Sequence, residues 1–396
     1  MESAGLRRTD WLRVPITMVG HPFSTIGMGT QLRAHTNALR AGGADPKIYD
    51  VYRFSERNDP EYTVLVGNSE TEHVANEFRI FHINGDEVDG VLSALEARGQ
   101  RFSDGYNIVF PAWELPRYPA VWVPKLKMFD EIWAGSWFVH SALAAAGLES
   151  HYVGQSIELP YGPFLPRKFF GIRESAFVVL NFFDLSSYEQ RKNPEAVLAL
   201  MSRILEIEQF REDYRNIEFV LKVKDGVKDA DEWAGRILQQ YPNVHIISTL
   251  LSAFEAHSLI NCCDCFVSLH RAEGFGHGIG EAMYLGRLAM ATGWSGNLDY
   301  MTDENSLLIK STLVPVATGA YPHGDGQVWA EPDVEHAARL LARAISDENW
   351  ASSISRKGRA SVRLRICHRA IGVRCVSRLV DIAENLSRGE AGIRVD

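Results

Sequence analysis

The sequence predicts an α/β protein made of two halves, each a parallel β-sheet flanked by helices. Three observations carry that expectation. Cys265–Leu269 is an apolar run suited to a buried strand; a loop with alternating glycines (Gly274, Gly276, Gly278, Gly280), a helical stretch Glu281–Leu285 stopped by Gly286, and a second apolar run, Leu288–Thr292, follow it. Strand, glycine loop, helix, strand is the local grammar of a parallel sheet. The same grammar runs from Val14 in the first half, and Pro160, Pro163 and Pro166 mark a break between the halves.

In chain order, Val14–Val19 is the first strand. Gly20–Gly29 is a loop, Gln31–Leu39 a helix ending at Ala41-Gly-Gly43, and Lys47–Val51 a strand. Arg79–Ile83, Tyr106–Phe110 and Glu131–Ala134 are further strands, the last followed by a helix over Ser136–Ala146. After the proline-rich passage Leu159–Lys168, Phe177–Phe183 restarts the pattern with a buried strand. A helix over Asn193–Leu205 and strands at Phe219–Val223 and Val244–Ile247 come next. Beyond Pro332 the periodicity is helical to the end, with one or two closing helices between Ala360 and Leu386 and a polar, frayed tail from Arg388.

Bulk properties exclude several classes. A chain of 396 residues suffices for two domains. A net charge of −9 argues against general nucleic-acid binding. No apolar run reaches the ~20 residues that span a bilayer, and the start, Met1-Glu-Ser-Ala-Gly-Leu-Arg-Arg8, lacks the apolar core of a signal peptide. A cytoplasmic protein is expected, with peripheral contact at the inner face of a membrane left open. Phe164–Phe170 offers basic and aromatic residues for such contact, or packs as a linker. Five cysteines, an odd number, do not suggest a disulfide framework. Cys262-Cys-Asp-Cys265 runs straight into a strand and lacks a second ligand cluster, so packing is expected there rather than metal. Asp229-Ala-Asp231 reads as a helix start, not a metal site.

The glycine loop carries the chemistry. Glycines let backbone donors approach a phosphate closely, and a helix N-terminus adds free N–H groups. Glu273 and Glu281 would repel a phosphate and so should face neutral hydroxyl donors. A diphosphate lying between a hexose and a ribose fits both requirements.

Glu273-x7-Glu281, set in Glu-Gly-Phe-Gly…Glu-Ala-Met-x-x-Gly, resembles the signature of the family 4 retaining glycosyltransferases, which have the GT-B fold. Ala291–Asp299, Ala320–Pro332, Pro111–Pro119 and Phe129–Phe138 are similar to a subset of that family, common in bacterial surface polysaccharide assembly. The likeness runs from about Val19 to about Ile345. It implies two Rossmann-like domains facing a cleft: an acceptor domain over 1–162, a donor domain over 163–360, and closing helices over 361–396 that cross back onto the first.

Residue by residue, the resemblance implies that Glu273 contacts the transferred sugar and Glu281 the ribose. Backbone N–H groups of Phe275, Gly276, His277 and Gly278 would hold the diphosphate or orient the sugar; His277 departs from the usual apolar residue there. The leaving group needs cations. Lys192 is the better carry-over, with Arg191 adjacent where the family spaces its arginine and lysine. Lys222, costly to bury unpaired in its strand, should reach a ligand, with Lys224 as rival. On the acceptor side, Gly27 and Gly29 would allow close backbone approach and Asp86 would line the site. Glu114 occupies the region where relatives place a catalytic histidine; it is suited to accepting a proton or orienting a sugar, and equally to capping a loop. His82 reads as a satisfied core histidine.

The function implied is retaining, metal-independent transfer of a hexose-type sugar from a nucleotide-diphosphate sugar, GDP-mannose or a UDP-sugar, to a saccharide acceptor that a lipid carrier could bear. The donor is a co-substrate; no separate cofactor is expected. A nucleotide-sugar epimerase of the same fold and a non-catalytic nucleotide-sugar or glycan scaffold are the alternatives.

Overall fold

The computed structural model describes residues 14–53, 59–160, 162–184, 188–207, 210, 216–224, 230–241 and 244–388. They form two compact units. One comes from Met1–Glu158 and Leu364–Asp396, the other from Leu159–Arg363.

Unit 1 holds β1 (Ile16–Gly20), β2 (Lys47–Asp50), β3 (Phe78–Phe81), β4 (Tyr106–Val109), β5 (Glu131–Ala134) and β6 (His151–Tyr152). They form one parallel sheet in the order β2-β1-β3-β4-β5-β6. Every residue of β1, β3, β4 and β5 is buried, as expected of strands covered on both faces. Around them lie α1 (Gly27–Ala41), α2 (Pro60–Gly67), α3 (Val88–Glu96), α4 (Val123–Leu126) and α5 (Trp137–Ala145). The expected loop over Gly20–Gly29 is shorter than the sequence suggests. The Thr30 N–H already donates to Ile26 O at 3.1 Å, so Gly27 and Gly29 lie in the first turn of α1. Helices α2 and α3 were not expected, although Asp59 caps α2 through the N–H groups of Glu61 and Tyr62, with Pro60 at its first position.

Unit 2 holds β7 (Phe177–Asp184), β8 (Ile217–Lys224), β9 (Val244–Ile247), β10 (Cys265–Ser268), β11 (Leu288–Thr292) and β12 (Leu307–Ile309), a second six-stranded parallel sheet in the order β12-β11-β10-β7-β8-β9. An antiparallel ribbon, β13 (Ser311–Pro315) and β14 (Val328–Pro332), stands apart from it. The helices are α6 (Glu189–Lys192), α7 (Pro194–Glu206), α8 (Ala230–Gln240), α9 (Ala253–Cys262), α10 (His277–Leu285), α11 (Val334–Ser346) and α12 (Glu348–Arg365). Leu200, Ile204, Leu221, Met290 and Leu341 are among the fully covered side chains of its core. Helix α9, also unexpected, opens on a Ser252/Glu255 capping box.

The cysteine run lies at the end of α9 and in β10. Cys262, Cys263 and Cys265 are buried, and burial pushes the Cys263 and Cys265 thiols up. Among the described residues no group of three His, Cys, Asp or Glu side chains could hold a metal ion; Asp229 lies outside those residues. The proline-rich passage belongs to unit 2. Phe164 stacks near Phe254, and Arg167 pairs with Asp264 at 2.7 Å, so that basic side chain is directed inward rather than offered to a membrane. No helix of the described residues is long and apolar enough to cross a membrane.

Unit 1 is completed by α13 (His368–Arg388), which packs along α1. The backbones meet at glycines: a Cβ on Gly372 would stand 1.8 Å from Ala38 O. Further along, Cys375 Sγ lies 3.6 Å from His35 Nε2, and Arg378 grips both carboxylate oxygens of Glu131 at 2.9 and 2.6 Å. His82, just past β3, is fully buried as expected of a core histidine, but neither ring nitrogen has a hydrogen-bond partner among the described residues.

Candidate active site

Open parallel sheets bind ligands beyond the carboxyl ends of their strands, where the strand order reverses. In unit 2 the chain moves outward from β7 to β8 and β9, then returns to place β10 on the other side of β7. The reversal point is therefore between β7 and β10. The segments that follow these two strands, 188–193 and 269–276, carry Lys192 and Glu273.

The structure brings these residues together. Lys192 Nζ donates to Glu273 Oε1, and Arg191 Nη1 lies 3.3 Å from Glu273 Oε2. Arg191 also donates to Ala272 O at 2.9 Å. Burial alone would push the Glu273 carboxyl up. Lys192 first, then Arg191 and His270, outweigh burial and hold it well below its ordinary 4.5. Glu273 is thus a buried carboxylate facing two cations.

Several residues that the sequence reading passed over hold this carboxylate in place. Ser295 Oγ accepts the Glu273 N–H at 2.8 Å, and the Gly296 N–H donates to Glu273 O at 2.9 Å. Ser295 adopts φ 79°, ψ −146°, a region nearly reserved for glycine. A Cβ on Gly296 would stand 1.9 Å from Gly274 O. His270 bridges Ser268 Oγ at 3.0 Å and Trp294 O at 3.3 Å, so Nε2 carries the proton and Nδ1 accepts. Arg271 ties the loop to the ribbon through Glu331 at 2.5 Å, and to α6 through Gln190 O at 2.7 Å. The stretch Ala291–Asp299 stood out in the sequence as a motif; its contacts with Glu273 explain it.

The other donor-side candidates occupy the same loop and helix. Phe275 is buried against Tyr300, whose Oη lies 2.6 Å from Gly276 O and 3.0 Å from Phe275 O. Gly276 caps α10 with φ +86° and supplies no side-chain cap, so the first-turn N–H groups, including that of Gly278, point out of the helix. The ring of His277 packs near that of Phe275. Helix α10 begins at His277, four residues earlier than expected, because the glycine loop closes its first turn through Ile279 N–H to Gly276 O. Glu281 therefore lies in the second turn, 3.9 Å from His257 Nε2. Lys222 is buried and donates to Val223 O at 2.6 Å, which keeps its ammonium at the end of β8.

In unit 1, Gly27 and Gly29 differ. A Cβ on Gly29 would stand 2.3 Å from Ser24 O and 2.9 Å from His21 O, so the loop's own backbone occupies that space; around Gly27 it is open. Asp86 is exposed and Glu114 half-buried. Both act, with Glu87, on Tyr118, whose phenol is pushed up by burial and by these three charges, while the Gly85 N–H donated to it at 3.2 Å opposes them. The two acceptor-side carboxylates thus share one neighbourhood at the strand ends.

No protein-family model matches the chain, and no curated protein matches it. Solved structures do. HepE of Anabaena, in complex with UDP-glucose, is similar over 95% of this chain and 100% of its own, with 13% identity and a TM-score of 0.64. Sucrose-phosphate synthase from Thermosynechococcus elongatus is similar over the same shares, with 14% identity and a TM-score of 0.64. An E. coli trehalose-6-phosphate protein bound with UDP-2-fluoro glucose is similar over 92% and 98%, with 11% identity and a TM-score of 0.62. The chain has the GT-B fold: two parallel six-stranded sheets with flanking helices, and a C-terminal helix packed on the first helix.

Proposed function

We propose that the chain is a glycosyltransferase that moves a hexosyl unit from a nucleotide-diphosphate sugar to a saccharide, with retention at the anomeric carbon. The observation that carries this reading is the Glu273 carboxylate held by Lys192 and Arg191 at the reversal point of unit 2, beside the N-terminus of α10. Support for a uridine donor comes from the HepE and E. coli structures, solved with UDP-sugars.

In the proposed reaction the bond from the anomeric carbon to the diphosphate oxygen breaks, and its electron pair leaves with the nucleoside diphosphate. The acceptor oxygen bonds the same carbon on the same face, and its proton passes to the departing diphosphate. Lys192, Arg191 and the first-turn amides of α10 stabilise the leaving charge. Glu273 steadies the positive charge that develops on the sugar, and Glu281 takes the ribose hydroxyls. With protein cations supplying the charge, a divalent metal is not needed. The acceptor proposed is a saccharide on a lipid carrier in surface polysaccharide assembly, reached from the inner face of the membrane.

A thermal-shift panel of UDP, GDP and their hexose conjugates tests the donor half. A shift for one base, growing with concentration and lost in Glu281→Ala, is the expected outcome. No shift from any nucleotide would refute the reading. Proton NMR of the first product reports the anomer, and a rate unchanged in EDTA is expected.

A further inference from the structure

A cleft of about 380 Å³ opens at the free edge of the unit 2 sheet, beside β12. Strands β11 and β10 separate that edge from the reversal point where Glu273 lies. The volume is near the small end of the ~300–1,000 Å³ of ligand sites, a size that suits a single substituted sugar rather than a nucleotide sugar.

Sequence spacing builds the walls. His336, Leu340 and Arg343 recur at i, i+4 and i+7 along one face of α11; Trp350, Ile354 and Lys357 do the same along α12. The loop ahead of β12 adds Asp303 and Glu304. Ile309 O accepts the Gly293 N–H at 2.8 Å, so Ile309 faces β11, and the backbone groups of Leu308, one residue back, turn to the free edge.

Two donors are oriented before any ligand arrives. His336 Nδ1 accepts the Lys310 N–H at 3.2 Å, so Nε2 carries the ring proton. Burial first, then Lys310 and Arg339, push this imidazole down from 6.5 against Asp303 and Asp333, and it is neutral at pH 7. The Arg343 guanidinium lies over the Trp350 ring, 4.0 Å from its centroid. Lys357 is exposed. Among the described residues Arg343, Lys357, Asp303 and Glu304 form no ion pair.

We propose that this cleft is an effector site for a phosphorylated hexose, its phosphate held by Arg343 and Lys357 and its hydroxyls by His336, Asp303 and Glu304. The cleft stands independently of the glycosyl-transfer reading; its effect on donor binding rests on that reading.

Charge selects the ligand class. Two cations without ion-pair partners match a phosphate dianion, and the planar guanidinium grips its oxygens in pairs. Two carboxylates repel a second anionic group and accept hydroxyls instead. A bare anion uses only part of the cleft, and a neutral sugar leaves the cations unmatched.

The loop that carries Asp303 and Glu304 leads to the glycine loop. The Thr302 N–H donates to Asn305 Oδ1 at 2.7 Å, and Asn305 Nδ2 donates to Tyr300 O at 2.9 Å. Tyr300 Oη donates in turn to Gly276 O at 2.6 Å, at the start of α10. A ligand that orders residues 303 and 304 acts on this chain of bonds, and by linkage each ligand changes the other's affinity by the same factor.

The test is calorimetric titration of the full-length protein with glucose 6-phosphate and mannose 6-phosphate, with and without saturating UDP. Inorganic phosphate and glucose are the controls. One hexose phosphate should bind at one site per chain, about tenfold or more tighter than either control. Arg343→Ala and Lys357→Ala should each weaken it about 10–100-fold, the loss of a hydrogen bond to a charged group. Both side chains are exposed, and circular dichroism verifies that the variants keep the fold. The UDP Kd should change about fivefold or more when the hexose phosphate is bound. No binding by either hexose phosphate overturns the proposal, as does inorganic phosphate that binds equally well. Binding that UDP displaces and that neither substitution weakens puts the sugar phosphate at Lys192 and overturns it too. An unchanged UDP Kd overturns the effector role. A hexose phosphate that binds a protein no nucleotide stabilises, and is lost in Arg343→Ala, would keep the cleft and overturn the glycosyl-transfer reading instead.

Discussion

Lys192 and Glu273 are 81 positions apart in sequence and form an ion pair in space. Each was legible alone: Glu273 from its glycine loop, Lys192 from the cationic start of a helix. Their pairing was not, because it depends on β10 lying beside β7, an order that local periodicity does not encode. His21 Nε2 and Glu87 Oε1 of unit 1, from residues 66 positions apart, meet at 2.8 Å and were invisible as a pair for the same reason. Lys192→Ala is expected to lower kcat/KM by about 10²–10³-fold, the range for removal of one transition-state donor, in steady-state assays. Glu273→Ala leaves Arg191 and Lys192 without their carboxylate and should cost about 3–5 kcal/mol in denaturant unfolding. The sign of its pH dependence follows from the held-down carboxyl. Folded Glu273 binds its proton more weakly than unfolded, so its stabilisation is complete above about 4.5 and is lost as pH falls below that value.

Among the elements, long apolar strands were read closely and the short or half-exposed ones were not. β13 and β14 were missed because they lie outside the main sheet; exposed Thr312, Leu313 and Pro315 break any buried run. Helix α10 shows a subtler failure. Glycines at 276, 278 and 280 argue against helix by propensity, yet the helix starts among them. Gly276 needs its positive φ, and a Cβ on Gly278 would press Phe266 at 3.2 Å. The tight turn at 295–296 belongs to this assembly. Gly296→Ala must push the 273–275 backbone aside, so a loss of about 1–3 kcal/mol and a fall in activity larger than that of a comparable surface change are expected. A Tm scan paired with a turnover assay separates the two effects.

At the scale of the whole molecule, the α/β class and the GT-B fold followed from repeated local grammar and motif, and both sheets are present. Acid acts on buried histidines in both units. His35, fully buried in unit 1, is pushed down to about 4 by burial, against a weaker opposing pull from the Gly154 carbonyl. Between its ordinary 6.5 and about 4 the unfolded chain binds the proton that the folded chain refuses. Stability is therefore full above 6.5 and declines by about 3 kcal/mol as pH falls to 4. His82, pushed down by burial and by His35, acts in the same direction. Unit 2 also holds a buried histidine that burial pushes down, His270, so acid weakens both units as pH falls below 6.5, and the Glu273 cluster weakens further below about 4.5. Tryptophan fluorescence and hydrogen exchange from pH 7 to 3 should show two steps, with His35→Phe flattening the first.

Unit 2 is one uninterrupted stretch of chain, whereas unit 1 is closed by a helix that returns after it. A nascent chain that has reached Arg363 contains everything unit 2 needs and still lacks α13, with its Gly372 contact on Ala38 and its Arg378 grip on Glu131. During synthesis the later-made half can therefore finish first, and the earlier-made half must wait with the α13-facing side of α1 uncovered. Folding order here runs against the order of translation.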